Sequence, residues 1–207
     1  MKVAVFGATG AVGKLFCAQA LEAGHGLTVL VRDRKKFEHS ERPEITVIEG
    51  NATNLEDVTR AVESADVVVS CLGNVAKARI MASSFDNILT AAAAQPAIPR
   101  CLMITSLGCG GSSRIVKILL ALINGRASWG DYEKADSRVR SETNVPCVLI
   151  RPSALRNKPG TGNYSATNGK IGLFAKPIPR SDLARFLLDA ATDDQWDGTG
   201  GVQLSGT

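Results

Sequence analysis

Histidine is nearly absent from this 207-residue chain, occurring only as His25 and His39. Both fall in segments that read as turns. Zinc sites built on imidazole and histidine-dependent nucleophile triads are therefore poorly supported, and no metal is expected. Cysteine is also sparse: Cys17, Cys71, Cys101, Cys109 and Cys147 form an odd-numbered set with no C-x-x-C pair. Cys71, Cys101 and Cys147 lie in apolar runs and read as small buried hydrophobes. Free thiols fit a reducing compartment, so a cytoplasmic location is expected. The first residues carry no signal-peptide pattern, and no apolar run is long enough for a membrane span. Excess charge is scarce as well. Lys plus Arg exceed Asp plus Glu by 24 − 20 = 4, too little for a nucleic-acid surface. The one local basic cluster, Arg32, Arg34, Lys35 and Lys36, suits a pocket for an anionic small molecule. With no Pro/Ser-rich linker and no repeat, residues 1–207 read as one domain.

What is present begins at once. Val3-Ala4-Val5-Phe6 is a strand pattern that runs into Gly7-Ala8-Thr9-Gly10-Ala11-Val12-Gly13, followed by a helical pattern. A glycine turn between a buried strand and a helix is a phosphate-binding device: the backbone approaches closely, and the first helical N–H groups are unpaired and electropositive. The spacing is G-x-x-G-x-x-G rather than G-x-G-x-x-G. Its position between strand and helix, more than the glycines alone, points to a dinucleotide.

Along the chain, nearly continuous apolar runs alternate with helical patterns. Strands are expected at 3–6, 27–31, 45–49, 67–71, 101–105 and 147–150, and helices at 11–23, 54–64, 82–94, 132–143 and 181–191. Gly24 reads as the stop of the first helix, Asn54 as an N-cap, and Ser181-Asp182 as the cap of the last helix. The alternation predicts an α/β fold, a doubly wound parallel sheet whose ligand lies beyond the carboxyl ends of the strands. Residues 156–179 read as a long Gly/Pro/Asn-rich loop. Together with 107–130 they are expected to shape the substrate site. The apolar stretch Arg114 to Ile123 reads as a core-facing helix or a lid, with a partner-binding helix or membrane-surface contact as alternatives.

The residues after each strand are the ones to read for chemistry. Gly7, Thr9, Gly10, Ala11, Val12 and Gly13 are placed at the pyrophosphate. After the second strand, Arg32 and Lys36 suit a 2′-phosphate, so NADP(H) is expected in preference to NAD(H). Asp33 stands against this, because an acid at that position accepts from ribose hydroxyls. Asn51 either bonds an adenine edge or is a turn asparagine, with Ala52 beside it. Cys71, Leu72 and Gly73 are placed near the cofactor ribose. Cys71 has no adjacent base, so a buried structural thiol is a better reading than a nucleophile. Thr105 and Ser106 lie near the expected nicotinamide, Ser106 being the candidate catalytic hydroxyl or simply a strand-end bond. Pro152, Ser153, Ala154 and Leu155 offer main-chain groups to the carboxamide. Trp129 and Tyr132 either line the substrate pocket or pack.

Val3 to Gly13 (VAVFGATGAVG), Thr28 to Arg34 (TVLVRDR), Lys158 to Tyr164 (KPGTGNY) and Ile178 to Phe186 (IPRSDLARF) resemble atypical short-chain dehydrogenases of the NAD(P)-binding, NmrA-like group. Within it, the flavin reductase / biliverdin reductase B type is most similar. The resemblance implies a single-domain Rossmann-like fold, a monomer or weak dimer, NADPH as cofactor, and hydride transfer to a small conjugated acceptor such as a flavin or quinone. It also implies an alternative, a non-catalytic NAD(P)-sensing regulator of NmrA type. Two departures from the pattern stand out. Tyr132 is followed four places on by Asp136, so the Tyr-x-x-x-Lys pair is absent. The histidine that the flavin reductase type carries after its Pro-Pro is replaced by Ala154. No strong general acid is visible, which suits an acceptor that needs stacking more than protonation.

Overall fold

The computed structural model describes residues 1–74, 79–110, 114–169, 171 and 175–207, the side chains at 114–116 and 124 excepted. Parts of both expected substrate-site segments, 111–113, 170 and 172–174, thus lie outside the described residues. The order is β1 (Lys2–Phe6), α1 (Ala11–Glu22), β2 (Gly26–Val31), β3 (Ile45–Glu49), α2 (Leu55–Val62), β4 (Val67–Ser70), α3 (Met81–Ala93) and β5 (Arg100–Ile104). Then come α4 (Arg114–Asn124), α5 (Arg126–Arg140), β6 (Cys147–Pro152), β7 (Leu155–Arg156), β8 (Tyr164–Thr167), β9 (Ile178–Pro179), α6 (Arg180–Thr192) and β10 (Val202–Gly206).

Among the described residues the main sheet has eight strands in the order β3-β2-β1-β4-β5-β6-β10-β8. All neighbours pair in parallel except β10 and β8. This is the single-domain, doubly wound, Rossmann-like α/β sheet read from the sequence, with the switch point between β1 and β4. The apolar runs are continuous because both faces are covered. Val3 and Val5 join Phe16 of α1 and Leu183 and Leu187 of α6 on one face. Ala4 and Phe6 join Val58 of α2, Phe85 and Ile88 of α3 and Val139 of α5 on the other.

The caps explain where elements stop. After α1, Gly24 N–H donates to Leu21 O and His25 N–H to Ala20 O, both at 3.0 Å, a Schellman closure. Asn54 caps α2, its side chain accepting from Glu56 N and Asp57 N.

The second half departs further from the expectation. Helix α5 starts at Arg126, six residues before Tyr132, because Gly125 at φ +81° turns the chain into it. Residues 156–179 are not one loop. They hold β8, which pairs with β10, and β9, which pairs with β7. The last helix is not capped by Ser181-Asp182. Pro179 is its N-cap residue, without a side-chain bond. Asp182 is buried and turns back instead, accepting from Thr161 N and Gly162 N at 3.1 Å each. The Thr-Gly-Asn-Tyr and Ser-Asp-Leu-Ala segments are therefore two halves of one anchor.

Helix α4 is not a core helix. Ile118 is 59% and Ile123 70% exposed, and Leu119 and Leu122 are exposed as well. It is tethered by the Lys117–Glu133 ion pair at 2.6 Å.

Candidate functional site

The three turn glycines do different work. Gly7 sits at φ +80°, and a Cβ there would lie 2.7 Å from Cys71 O, so the turn presses against the end of β4. At Gly13 a Cβ would stand 2.1 Å from Gly7 O, so this residue lets α1 seat on the turn. Gly10 is the one of the three that lines a cavity of about 550 Å³, together with Ala11 and Val12, although a Cβ there would stand 3.1 Å from Gly7 O. Its N–H is already donated to Gly7 O at 2.9 Å. Helix α1 has no side-chain cap and no acid in its first turn. An electropositive helix start of this kind, opening on a cavity with a glycine at its rim, fits an anionic phosphate.

The same cavity runs along the strand ends, as a doubly wound sheet requires. It gathers Cys71, Leu72 and Gly73 after β4, Thr105 and Ser106 after β5, and Pro152, Ser153, Ala154 and Leu155 at and beyond the end of β6. Trp129 and Tyr132 of α5 close one wall. Sequence reasoning did not single out Asn74, Ile104, Leu107, Leu120, Ile123, Ala175 and Arg180, which also line it. Leu107, Leu120, Ile123 and Ala175 fall within the segments 107–130 and 156–179 expected to shape the substrate site, whereas Asn74, Ile104 and Arg180 lie outside them.

A second cavity of about 280 Å³ is lined by Thr9, Arg32, Asp33 and Lys36. It is the charged counterpart of the first. Asp33 is held there: its Oδ1 accepts from Lys35 N at 3.0 Å, and its Oδ2 lies 3.8 Å from Lys36 Nζ. Asn51 and Ala52 line neither cavity. Asn51 Oδ1 accepts from Thr53 N at 3.1 Å, an Asx turn, and Ala52 packs in the core with its carbonyl accepting from Asn87 Nδ2.

The hydroxyls near the expected nicotinamide position differ. Thr105 Oγ1 donates to Asp136 Oδ2 at 3.1 Å. Asp136 is fully buried and is gripped by Arg151, whose Nε bonds Oδ2 at 2.7 Å and whose Nη2 bonds Oδ1 at 3.0 Å. Arg140 Nε adds a bond at 2.9 Å. Asp136, four residues after Tyr132, is thus a brace that ties α5 to β5 and β6. Among the described residues, Ser106 Oγ donates only to its neighbour's carbonyl, Leu107 O, at 3.3 Å. Tyr132 Oη accepts from Asn74 N at 3.1 Å. Burial raises the Tyr132 phenol above its ordinary value, with the Asn74 N–H opposing that shift. Burial, seconded by Cys17, pushes the Cys71 thiol well up, so it stays protonated and serves as packing. The five cysteines are free. Among the described residues no group of His, Cys, Asp and Glu could hold a metal.

Residues 7–194 match the family model described as NAD(P)H-binding. An anaerobilin reductase from Escherichia coli O157:H7 superposes with a TM-score of 0.84 at 19% identity, over 100% of this chain and 97% of that one. A short-chain dehydrogenase/reductase from Veillonella parvula, solved with NADP, gives 0.81 at 20% identity, over 99% and 94%. At such identities these structures establish the fold. Photosystem II assembly factor Ycf39 from Synechocystis is 33% identical over 69 residues, which are 33% of this chain and 21% of that relative's length. The expected membership of an NAD(P)-binding family is borne out. Among the described residues no helix is long and apolar enough to cross a membrane.

Proposed function

The chain belongs to the NAD(P)H-binding family, and from that premise we propose that it is an NADPH-dependent oxidoreductase passing hydride to a small conjugated acceptor. One observation carries this reading: a single cavity joins the phosphate-type cradle of Gly10, Ala11 and Val12 to an apolar, aromatic wall of Leu107, Leu120, Ile123, Trp129 and Tyr132. When bound, the nicotinamide supplies the hydride. The chain's own part is to hold and dry the site. Amides of Ala11 and Val12 take the diphosphate, and Arg32 and Lys36 take the 2′-phosphate. Pro152 O, Ser153 N and Ala154 O are engaged by Leu107 N, Leu204 O and Ile178 N, so the Ala154 and Leu155 amides are left to orient the carboxamide. Trp129, Tyr132 and the inner side of α4 receive a flat acceptor and exclude water. The Ser106 hydroxyl or solvent delivers the proton, and Tyr132 Oη, already accepting from Asn74 N, keeps its own hydrogen for an acceptor oxygen.

Flavins and quinones fit this description. The anaerobilin reductase with the same fold supports an extended conjugated acceptor. The free thiols support a cytoplasmic protein, monomeric or weakly dimeric. The test is NADPH oxidation with FMN, followed at the nicotinamide absorbance band. No turnover across a panel of flavins, quinones and aldehydes would overturn the catalytic reading. The exposed apolar side of α4 favours one alternative, a regulator that senses NAD(P) and offers this helix to a protein partner. Tight cofactor binding without turnover, with a stoichiometric partner released by NADP(H), would establish it instead.

A further inference from the structure

The glycine turn supplies only part of what a diphosphate needs. With the Gly10 N–H spent on Gly7 O, the cradle offers the amides of Ala11 and Val12 and no side-chain cation. Arg32 and Lys36 line the other cavity. Among the described residues that line the large cavity, a single one carries a charged side chain, Arg180.

Its placement is fixed from two sides. Arg180 follows β9, whose Ile178 and Pro179 pair with Leu155 and Arg156, so it leaves the sheet beside the end that lines the cavity. It opens α6, which packs along α1 in one core. Gln19 Nε2 of α1 donates to Ser181 O at 3.2 Å, tying the residue after Arg180 to the helix that begins at the cradle. The guanidinium is held but not neutralised: Nη1 donates to the Asn157 amide oxygen at 2.6 Å. Among the described residues no carboxylate pairs with it, whereas Arg138, Arg140 and Arg151 each have one. A neutral partner that fixes one arm of the fork leaves the remaining donors and the charge uncompensated on a residue that lines the cavity. A planar fork of this kind is suited to bidentate phosphate recognition.

We propose that Arg180 is the cationic half of the diphosphate site, acting with the amides of Ala11 and Val12 on the nucleoside diphosphate common to NAD(H) and NADP(H). The assignment rests on the dinucleotide reading and deepens it. Arg32 separates the two cofactors; Arg180 serves both alike.

The experiment is calorimetric titration of the 207-residue protein with NADP+, NAD+, ADP-ribose and 2′-AMP, the last having the 2′-phosphate but no diphosphate. Arg180→Gln should weaken NADP+, NAD+ and ADP-ribose by a common factor of tenfold or more and leave 2′-AMP within twofold. Arg180→Lys should recover part of the loss. Should Arg180→Gln fail to fold, as judged by its melting transition, Asn157→Ser loosens the same guanidinium and should produce a smaller loss with the same pattern. Unchanged dinucleotide affinity, or an equal loss for 2′-AMP, overturns the proposal. So does an effect confined to the KM of acidic acceptors, which would assign Arg180 to the acceptor. Wild-type protein that binds no dinucleotide overturns the cofactor reading with it, whereas wild-type binding that Arg180→Gln leaves intact overturns this inference alone.

Discussion

The two cavities are built on opposite principles. The smaller one, of about 280 Å³, is almost all charge and hydroxyl: Thr9, Arg32, Asp33 and Lys36. They stand on a turn and on a stretch of five consecutive residues. The larger one, of about 550 Å³, is mostly apolar and draws on strand ends, α4, α5 and the start of α6. The first is made for selection, since charged hydrogen bonds discriminate strongly between ligands. On the proposed reading the second serves alignment and dryness, and among the described residues that line it there is no imidazole and no lysine. On the same reading the 2′-phosphate is recognised in the smaller cavity and the diphosphate at the near end of the larger one, while at its far end the chemistry is left to the cofactor.

The largest expected effect tests what holds up the apolar end. Asp136 is fully buried between Arg151, Arg140 and Thr105. Removing one partner of a buried pair leaves the other charge uncompensated, at a cost of about 3–5 kcal/mol. Asp136→Ala should therefore lose stability of that order in urea unfolding, a large fraction of the about 5–15 kcal/mol of an ordinary domain. A change below about 1 kcal/mol would mean that this brace is not needed to set the strand ends.

Gly10→Val comes next and strikes where the two cavities share a ligand. The residue forms the rim of the cradle, and its Cβ would stand 3.1 Å from Gly7 O. NADP(H) and NAD(H) binding should both fall below detection by calorimetry, while the melting temperature moves by only a few degrees. Retained binding of either dinucleotide would remove the cradle from its assigned role.

How much of this was legible follows from the same contrast. The glycine turn, Arg32 and Lys36 are local in sequence, and local patterns reveal them. The parallel character of the sheet was legible because parallel strands buried on both faces read as continuous apolar runs. The rest depends on contacts between distant segments. Val202 to Gly206 is a strand only because β6 and β8 flank it. Asp182 looks like a cap residue, but its carboxylate is claimed by amides some twenty positions upstream. Arg180, Leu120 and Ile123 reach the cavity only once α4 and α6 are placed. Asn51 satisfies both of its readings in sequence. In the fold its oxygen is taken by a local turn.

Arg32→Ala tests the selective end on its own. Loss of a charge-assisted phosphate contact should cost NADPH about 1.5–3 kcal/mol. NADH lacks the 2′-phosphate and should change by less than about 0.5 kcal/mol, as for an exposed substitution. Asp33 shares the cavity and engages Lys35 N and Lys36. Equal losses for the two cofactors, measured by titration, would dissolve the distinction between the cavities.

The smallest effect is expected at the hydroxyl that chemistry would nominate first. Ser106 Oγ lines the apolar cavity and, among the described residues, donates only to the carbonyl of its own neighbour, at 3.3 Å. A net hydrogen bond of this kind is worth about 0.5–1.5 kcal/mol. If the acceptor takes its proton from solvent as readily as from Ser106, Ser106→Ala should lower kcat for a flavin or quinone by less than about tenfold, the ratio that 1.4 kcal/mol represents. A carbonyl acceptor, whose alkoxide must be protonated as it forms, should suffer more, because positioned general acids contribute about 10²–10⁴-fold. The ratio of the two losses therefore reads the acceptor class directly. A loss above a hundredfold with both acceptors would make Ser106 an obligatory acid and end the division between a selecting cavity and a merely aligning one.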